Sequence, residues 1–172
     1  ARGPVALYEA DPRAVLPVDG LRVPRSVARA RRHAGYEIRV DGAFREVLEA
    51  CAEGRSGVWL TPRLIDAYAR LHLVGHAHSV EAWRDGRICG GLFGVALGAL
   101  FTSESMFHRA SDAGSVALAA AGDLVRDGGF LLWDIQMASH HTLRFGAEEI
   151  GRAEYRARLH RALAADAWLP EP

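Results

Sequence analysis

The chain contains no lysine and no asparagine, so each of its 21 Lys+Arg residues is an arginine. That bias reads as the coding habit of a GC-rich genome, and it lowers the functional weight of any single arginine. Net charge is missing too, because 21 acidic residues balance the 21 basic ones. No overall field therefore draws the chain to nucleic acid or to an anionic membrane, and such a partner has to be held by a local patch. Cysteine is scarce: Cys51 and Cys89 lie far apart, with no CxxC pair. This excludes a disulfide framework and suits two buried, reduced thiols. No apolar run approaches the roughly 20 residues that cross a bilayer, and the opening ARGPVALYE has no secretory core. A soluble, cytoplasmic protein is expected. Internal repeats and low-complexity segments are also lacking, and a length of 172 residues fits one domain around one core.

What is present alternates between helical and strand periods. Pro4, Pro12 and Pro17 make residues 1–20 an extended lead-in with room for one strand. PRSVARARRH from Pro24 starts with proline and continues with helix formers, which predicts a basic helix. Tyr36 to Val40 alternates like a strand, and Phe44, Val47, Leu48 and Cys51 recur at helical spacing. Thr61-Pro62 opens another helix, with Leu64, Ile65, Tyr68 and Leu71 on its inner face and an end before Gly75. Asp85-Gly86 between two strand-like runs predicts a tight hairpin whose second arm is a buried central strand. TSESMFHRASDAG then reads as a loop, followed by a helix through Ala117, Leu118, Ala121, Leu124 and Val125. FLLWDIQ is a buried strand, and Tyr155, Leu159 and Leu163 mark a closing helix. The sum is an α/β or α+β chain, with helices flanking one mixed central sheet.

Several polar residues stand where chemistry is placed. Asp134 and Gln136 are two apart on a predicted strand and share a face at the sheet's carboxyl end, although an Asp here also fits a turn cap. Removing such an acid should cost turnover more than folding. Glu104 lies between Phe101 and Met106, and a carboxylate among apolar residues is either paired with cations, functional, or turned to solvent. His72, His76 and His78 form HxxxHxH, but no acid or cysteine completes a metal spacing. His140 and His141 before Thr142 suit a helix cap. Arg22, Arg25, Arg29, Arg31, Arg32 and His33 form the densest basic run; on a helix Arg25, Arg29 and Arg32 share a face that fits phosphates or merely solvent. The glycines of GGLFGVALG lack a GKS/T ending, so they predict close backbone approach in a sheet rather than a nucleotide loop.

Taken in order, DPRAVL (Asp11 to Leu16), VWLTPRLIDAYARLHLVGHAHSVEAW (Val58 to Trp83), GGLFGVALGALFTSESMF (Gly90 to Phe107), WDIQ and HTLRFGA resemble the leucyl/phenylalanyl-tRNA–protein transferases. GHAHSVEAW and the ESMF run are specific, and the segments span nearly the whole chain. The resemblance implies residues 1–172 as one catalytic domain with a GNAT-like acyltransferase core, without metal or cofactor. The donor it implies is an aminoacyl-tRNA carrying leucine, phenylalanine or methionine. The acceptor is a protein whose first residue is Arg or Lys, tagged for N-end rule degradation.

Family roles fall on Asp134 and Gln136, which assist the attacking amine, and on Glu104 beside the reacting groups. Trp59, Leu92, Phe101, Met106 and Leu118 match positions around the aminoacyl side chain or the terminal adenosine. Arg22, Arg25, Arg29 and Arg32 match the tRNA-facing surface. The chain also departs from the family. No segment matches its GGDL and FPW stretches, Tyr8 stands where a tryptophan is usual, Trp133 replaces a smaller aliphatic residue, and Arg144-Phe145 replaces Ser-Leu. Two other readings fit the same residues: a GNAT-like aminoacyl-tRNA-dependent transferase with another acceptor, and a non-catalytic RNA- or peptide-binding relative.

Overall fold

In chain order the elements are β1 (Arg13–Leu16), α1 (Arg25–His33), β2 (Glu37–Val40), α2 (Phe44–Ala52), α3 (Pro62–Leu73), β3 (Ala77–Arg84) and β4 (Arg87–Leu97). They are followed by β5 (Leu100–His108), α4 (Ala113–Asp127), β6 (Leu132–Gln136), α5 (His140–Leu143), β7 (Glu148–Ile150) and α6 (Arg152–Leu163). This computed structural model describes residues 9–53 and 59–169. Tyr8, Val58 and the first eight residues of the expected lead-in lie outside the described residues.

Local chemistry sets most of these boundaries. The Thr61 side chain accepts a hydrogen bond from the Leu64 N–H at 3.4 Å, with Pro62 in the first helical turn, so α3 starts where a cap and a fixed φ coincide. Asp85 and Gly86 both have positive φ, 53° and 71°, the conformation of a two-residue hairpin turn between β3 and β4. The glycines of β4 serve close approach, as expected: a Cβ on Gly90 would lie 2.6 Å from the Gly114 backbone nitrogen, and one on Gly94 2.5 Å from the Thr102 carbonyl.

Seven strands form one mixed sheet in the order β2-β3-β4-β5-β6-β1-β7, antiparallel except for the parallel pair β5–β6. One face buries Leu92, Phe101 and Trp133 against α4, where Val116, Leu118, Ala121 and Val125 point inward. The other face buries Phe93, Ala77 and Phe107 under α2 and α3. At the far end of that second face, Val15, Leu100 and Leu132 pack with Ala162, Tyr155 and Leu159 of α6. Among the described residues no helix is long and apolar enough to cross a membrane.

One expectation fails. The stretch read as a loop from Thr102 is the greater part of β5, which runs to His108 in register with β4 (Gly90↔His108). Its Ser-Glu-Ser core looks polar because it edges a cavity rather than the interior. Two short elements also escaped sequence reading, β7 and α5. The latter is capped by Ser139 in a reciprocal box with Thr142 rather than by a histidine. Two of the HxxxHxH residues have structural contacts: His78 Nδ1 lies 2.8 Å from Asp41 Oδ2 and its Nε2 3.2 Å from the Gly75 carbonyl, while the His72 ring stacks on Phe44.

Candidate active site

The parallel ladder between β5 and β6 ends early. Leu100↔Leu132, Phe101↔Trp133 and Thr102↔Asp134 are its pairs, after which β6 stays with β1 as far as Ala14↔Gln136 while β5 continues on β4. The sheet therefore parts at this point. A β-bulge sits at the same level, since Gly94 pairs with Ser103 and Phe93 with Ser105, leaving Glu104 as the extra residue. Such a bulge bends a strand and re-aims one side chain.

Two cavities meet at the parting. One, of about 240 Å³, is lined by Leu92, Met106, Leu118 and Ile135 from the α4 face, and by Ser103 and Ser105. The other, of about 590 Å³, is lined by Glu9, Arg13 and Trp59. Glu104, Gln136 and Met137 border both. Of the apolar residues expected at the site, Trp59, Leu92, Met106 and Leu118 thus line cavity walls. Phe101 does not: it is fully buried in the layer beneath, against Phe130 and Trp133. Trp133 shares that layer on the α4 face, its indole N–H donating to Ser103 Oγ at 2.8 Å, directly under the smaller cavity.

Asp134 faces α6 and lines neither cavity. It is 1% exposed, and its carboxylate is surrounded by donors. Arg13 supplies Nε at 3.0 Å and Nη2 at 2.6 Å, the Tyr155 hydroxyl donates at 2.8 Å, and the Gln136 backbone N–H donates at 2.8 Å. Burial, and then the hydrogen bond to Asp134, push the Tyr155 phenol up to about 12, so it stays a donor. The simple alternation expected between Asp134 and Gln136 breaks at Gln136, whose φ is +59°. An L-residue holds that conformation only when its surroundings impose it. Here the Asp134 carboxylate grips the Gln136 main chain while the Gln136 side chain borders both cavities.

Glu104 is housed differently. Burial raises its pKa above the ordinary carboxylate value and the negative charge of Asp134 adds to this; a hydrogen bond from Tyr68 and the charge of Arg13 act the other way. The Tyr68 phenol is itself held above its usual value, chiefly by burial.

Sequence reasoning missed Arg13, Tyr155 and Tyr68. A signal was available for the two tyrosines, because a tyrosine on the buried face of a helix needs a partner for its hydroxyl. Arg13 heads the apolar Ala-Val-Leu of β1, and a cation entering a buried strand needs an acid.

Arg22, Arg25, Arg29 and Arg32 are all exposed, and among the described residues none has an ion-pair partner. The last three lie on α1, which packs on the α4 side of the sheet and is tied there by Arg31 to Asp123. None of the four is among the described residues that line the two cavities at the parting; Arg29 lines another cavity, with His33, Arg84 and Asp112.

Comparison with known proteins identifies the family. Residues 15–160 match the family model described as leucyl/phenylalanyl-tRNA protein transferase. A leucyl/phenylalanyl-tRNA–protein transferase from Nitratidesulfovibrio vulgaris is 49% identical over 163 residues, which cover 92% of this chain and 70% of the relative. Those of Anaeromyxobacter sp. (strain K) and Herpetosiphon aurantiacus are both 47% identical, over 95% and 96% of this chain and 72% and 86% of their own lengths. Among solved structures, a domain from Agrobacterium fabrum assigned as the C-terminal part of a lysylphosphatidylglycerol synthetase superposes with a TM-score of 0.50 at 16% identity. That match covers 94% of this chain and 58% of the other, and it shows likeness of fold alone. On the extent of the family match and the identity to these relatives, the chain belongs to the leucyl/phenylalanyl-tRNA protein transferases, a family of aminoacyltransferases.

Proposed function

We propose that the protein moves a leucyl group, and also methionyl or phenylalanyl, from aminoacyl-tRNA to the α-amine of proteins that begin with Arg or Lys, marking them in the cytoplasm for N-end rule degradation. The observation that carries this reading is the meeting of two unlike cavities at Glu104 and Gln136. The small apolar one suits an aliphatic side chain, and the larger one, with Trp59 on its wall, suits the terminal adenosine. The ester carbonyl then lies between them. The parting of β5 and β6 supports a GNAT-like core, and residues 1–172 act as one catalytic domain in this reading.

The chemistry needs little beyond placement. A free α-amine has a pKa of about 7.7 to 8.0, so a useful fraction is neutral at cellular pH. It attacks the ester carbon and the C–N bond forms. The bond from that carbon to the ribose oxygen breaks, leaving its electron pair on the oxygen. The amine's surplus proton passes to Glu104 and from there to the departing oxygen. A carboxyl raised above its ordinary pKa suits a group that must both take and return a proton. Gln136 borders the reacting space and orients the amine or carbonyl by its amide. Asp134 acts through Gln136 and is a positioning residue. Arg22, Arg25, Arg29 and Arg32 hold the tRNA backbone.

The test is transfer of labelled leucine from charged tRNA to a peptide beginning with Arg. Label at the peptide's amino terminus, dependent on Glu104, is expected. Tight binding of charged tRNA with no turnover on any acceptor would sink the reading in favour of a binding relative.

A further inference from the structure

Ester aminolysis places negative charge on oxygen, and the larger cavity holds a cation whose donors are only partly taken. As the amine adds to the ester carbon, charge builds on the carbonyl oxygen and then on the ribose oxygen that departs. A donor fixed in advance at that place stabilises such charge most. Among the described residues that line the two cavities at the parting, Arg13 is the only arginine or histidine. It borders the larger cavity, on the side read as the seat of the adenosine, together with Glu104 and Gln136.

Arg13 is committed on one edge and open on the other. Its Nε and Nη2 donate to the Asp134 carboxylate at 3.0 Å and 2.6 Å, and its Cζ lies 5.1 Å from the centre of the Tyr155 ring, which covers one face. The Tyr155 hydroxyl, donating to the same carboxylate, lies beside the guanidinium. A guanidinium has two further N–H donors on Nη1. Among the described residues no acceptor bonds to Nη1, and it is not one of the buried polar atoms that lack a partner, so it reaches open space. The side chain is 16% exposed, and the larger cavity is a space it lines. Gripped by a buried acid and an aromatic ring, the group needs no reorganisation when charge develops before it. Its own charge reaches Glu104, whose pKa it lowers, so cation and proton-handling carboxyl act on one space.

We propose that Arg13 is a catalytic residue whose Nη1 donates to the departing ribose oxygen and holds the negative charge there until Glu104 returns the proton. The arginine keeps its own protons. The C–N bond forms, the C–O bond breaks with its electron pair on the ribose oxygen, and the proton taken from the amine ends on that oxygen. Asp134 then fixes two things with one carboxylate, the Gln136 main chain and the guanidinium. The identity of the departing oxygen rests on the transfer reading.

Leaving-group dependence tests the assignment. Single-turnover transfer to an Arg-initiated peptide is measured from leucyl-tRNA whose terminal adenosine is 2′-deoxy or 2′-fluoro-2′-deoxy, with the wild type, Arg13→Lys and Tyr155→Phe. Fluorine lowers the basicity of the departing oxygen, which then needs less help, and its other effects on the ester cancel in the comparison with wild type. Arg13→Lys should lose about a hundredfold in turnover from the 2′-deoxy donor, as on removal of one donor to a developing oxyanion. With the 2′-fluoro donor the loss should be about tenfold smaller. Tyr155→Phe disturbs the support of Asp134 but leaves Nη1 in place, so its loss should be the same for both donors. Denaturant unfolding checks that each variant is folded; Arg13→Gln, whose amide can still donate to Asp134, is read in the same way should the lysine variant unfold. Equal losses for both donors in the Arg13 variant overturn the proposal and leave Arg13 a support for Asp134. A rise confined to KM for both donors also overturns it and assigns Arg13 to holding a phosphate. Donor selectivity of the same size in Tyr155→Phe overturns it as well. A wild type that transfers no leucine from unmodified leucyl-tRNA overturns the transfer reading, and this assignment with it.

Discussion

Two carboxylates flank the parting of β5 and β6, and they are treated in opposite ways. Asp134 receives four donor groups from β1, α6 and its own strand, and it borders neither of the two cavities. Glu104, pushed out by a bulge, has Tyr68 as its hydrogen-bonding side chain and borders two cavities. Asp134 is fully buried and Glu104 half-buried, and only the first is saturated with donors. A saturated acid has no capacity left for a reacting proton, so its work is to fix neighbours. An acid whose charged form is under-supported is available for proton transfer. Sequence position gave them equal standing, and the difference lies in which strands they face.

The largest expected effect comes from breaking the saturated side. Asp134→Ala strands Arg13 and Tyr155 and frees Gln136 to leave its left-handed conformation. Turnover should fall by about two orders of magnitude or more. Stability should drop by about 3 kcal/mol, because one partner of a buried ion pair is left behind. The expectation that this acid matters to turnover rather than to folding is thereby revised. Denaturant unfolding together with single-turnover transfer measures both; a well-folded variant with near-normal turnover would remove Asp134 from the site.

Glu104→Gln should lose about two orders of magnitude in turnover while the fold is kept. The sign of its pH behaviour follows from the raised pKa. The folded state binds this proton more readily than the unfolded chain, so wild-type stability is penalised as pH rises from the ordinary Glu value through the folded pKa. Glu104→Gln should thus be the more stable protein near neutral pH, with the gap closing in acid. The acid limb of the wild-type rate profile should lie above the ordinary Glu value and be missing from the variant. Unfolding curves at several pH values check the first point, and rate profiles the second.

A smaller effect probes the floor of the apolar cavity. Trp133 is fully buried beneath Ser103 and packs toward Gly122, so Trp133→Ile should deepen the cavity. Phenylalanyl transfer should improve several-fold relative to leucyl, on the scale of about 1 kcal/mol per methylene of fit. In the wild type, Leu and Met should outcompete Ile and Val. Parallel rates for the five charged tRNAs decide it, and equal use of Val and Leu would contradict the pocket. Smallest is the cationic surface: changing Arg25, Arg29 and Arg32 to Gln should flatten the salt dependence of tRNA affinity by up to ~0.7 to 0.9 log units per log unit of salt for each phosphate no longer engaged. An unchanged slope would return that face to solvent.

The fold was legible wherever local chemistry decides it. Thr61-Pro62, Asp85-Gly86 and the alanine-rich face of α4 each carry their signal within a few residues. Asp134, Gln136 and Glu104 were legible as candidates because polar residues interrupt apolar runs there. What stayed hidden was pairing. Ser103 to Ser105 reads as loop because a strand with one open, cavity-lining edge has lost the alternation that identifies strands. Nothing near Arg13 or Tyr155 in sequence announces Asp134, since the partners meet only when the sheet is assembled. Phe101 and Trp133 sit one layer deeper than the residues that line the cavity, a distinction of depth that periodicity does not encode.

The place of β1 in the sheet bears on how the molecule comes to be active. It enters between β6 and β7, so Arg13 reaches Asp134 across 121 residues of sequence, and the same carboxylate also needs Tyr155 from α6. Contacts of such separation form late, because the chain entropy of closing the loop must be overcome before they contribute. Helices α2 to α4 and the β3–β4–β5 meander depend on neighbours in sequence and can assemble first. Competence for transfer is therefore expected only of the completed fold: a molecule still on its way to the native state should form its helices and most of its sheet before Gln136 is held in place.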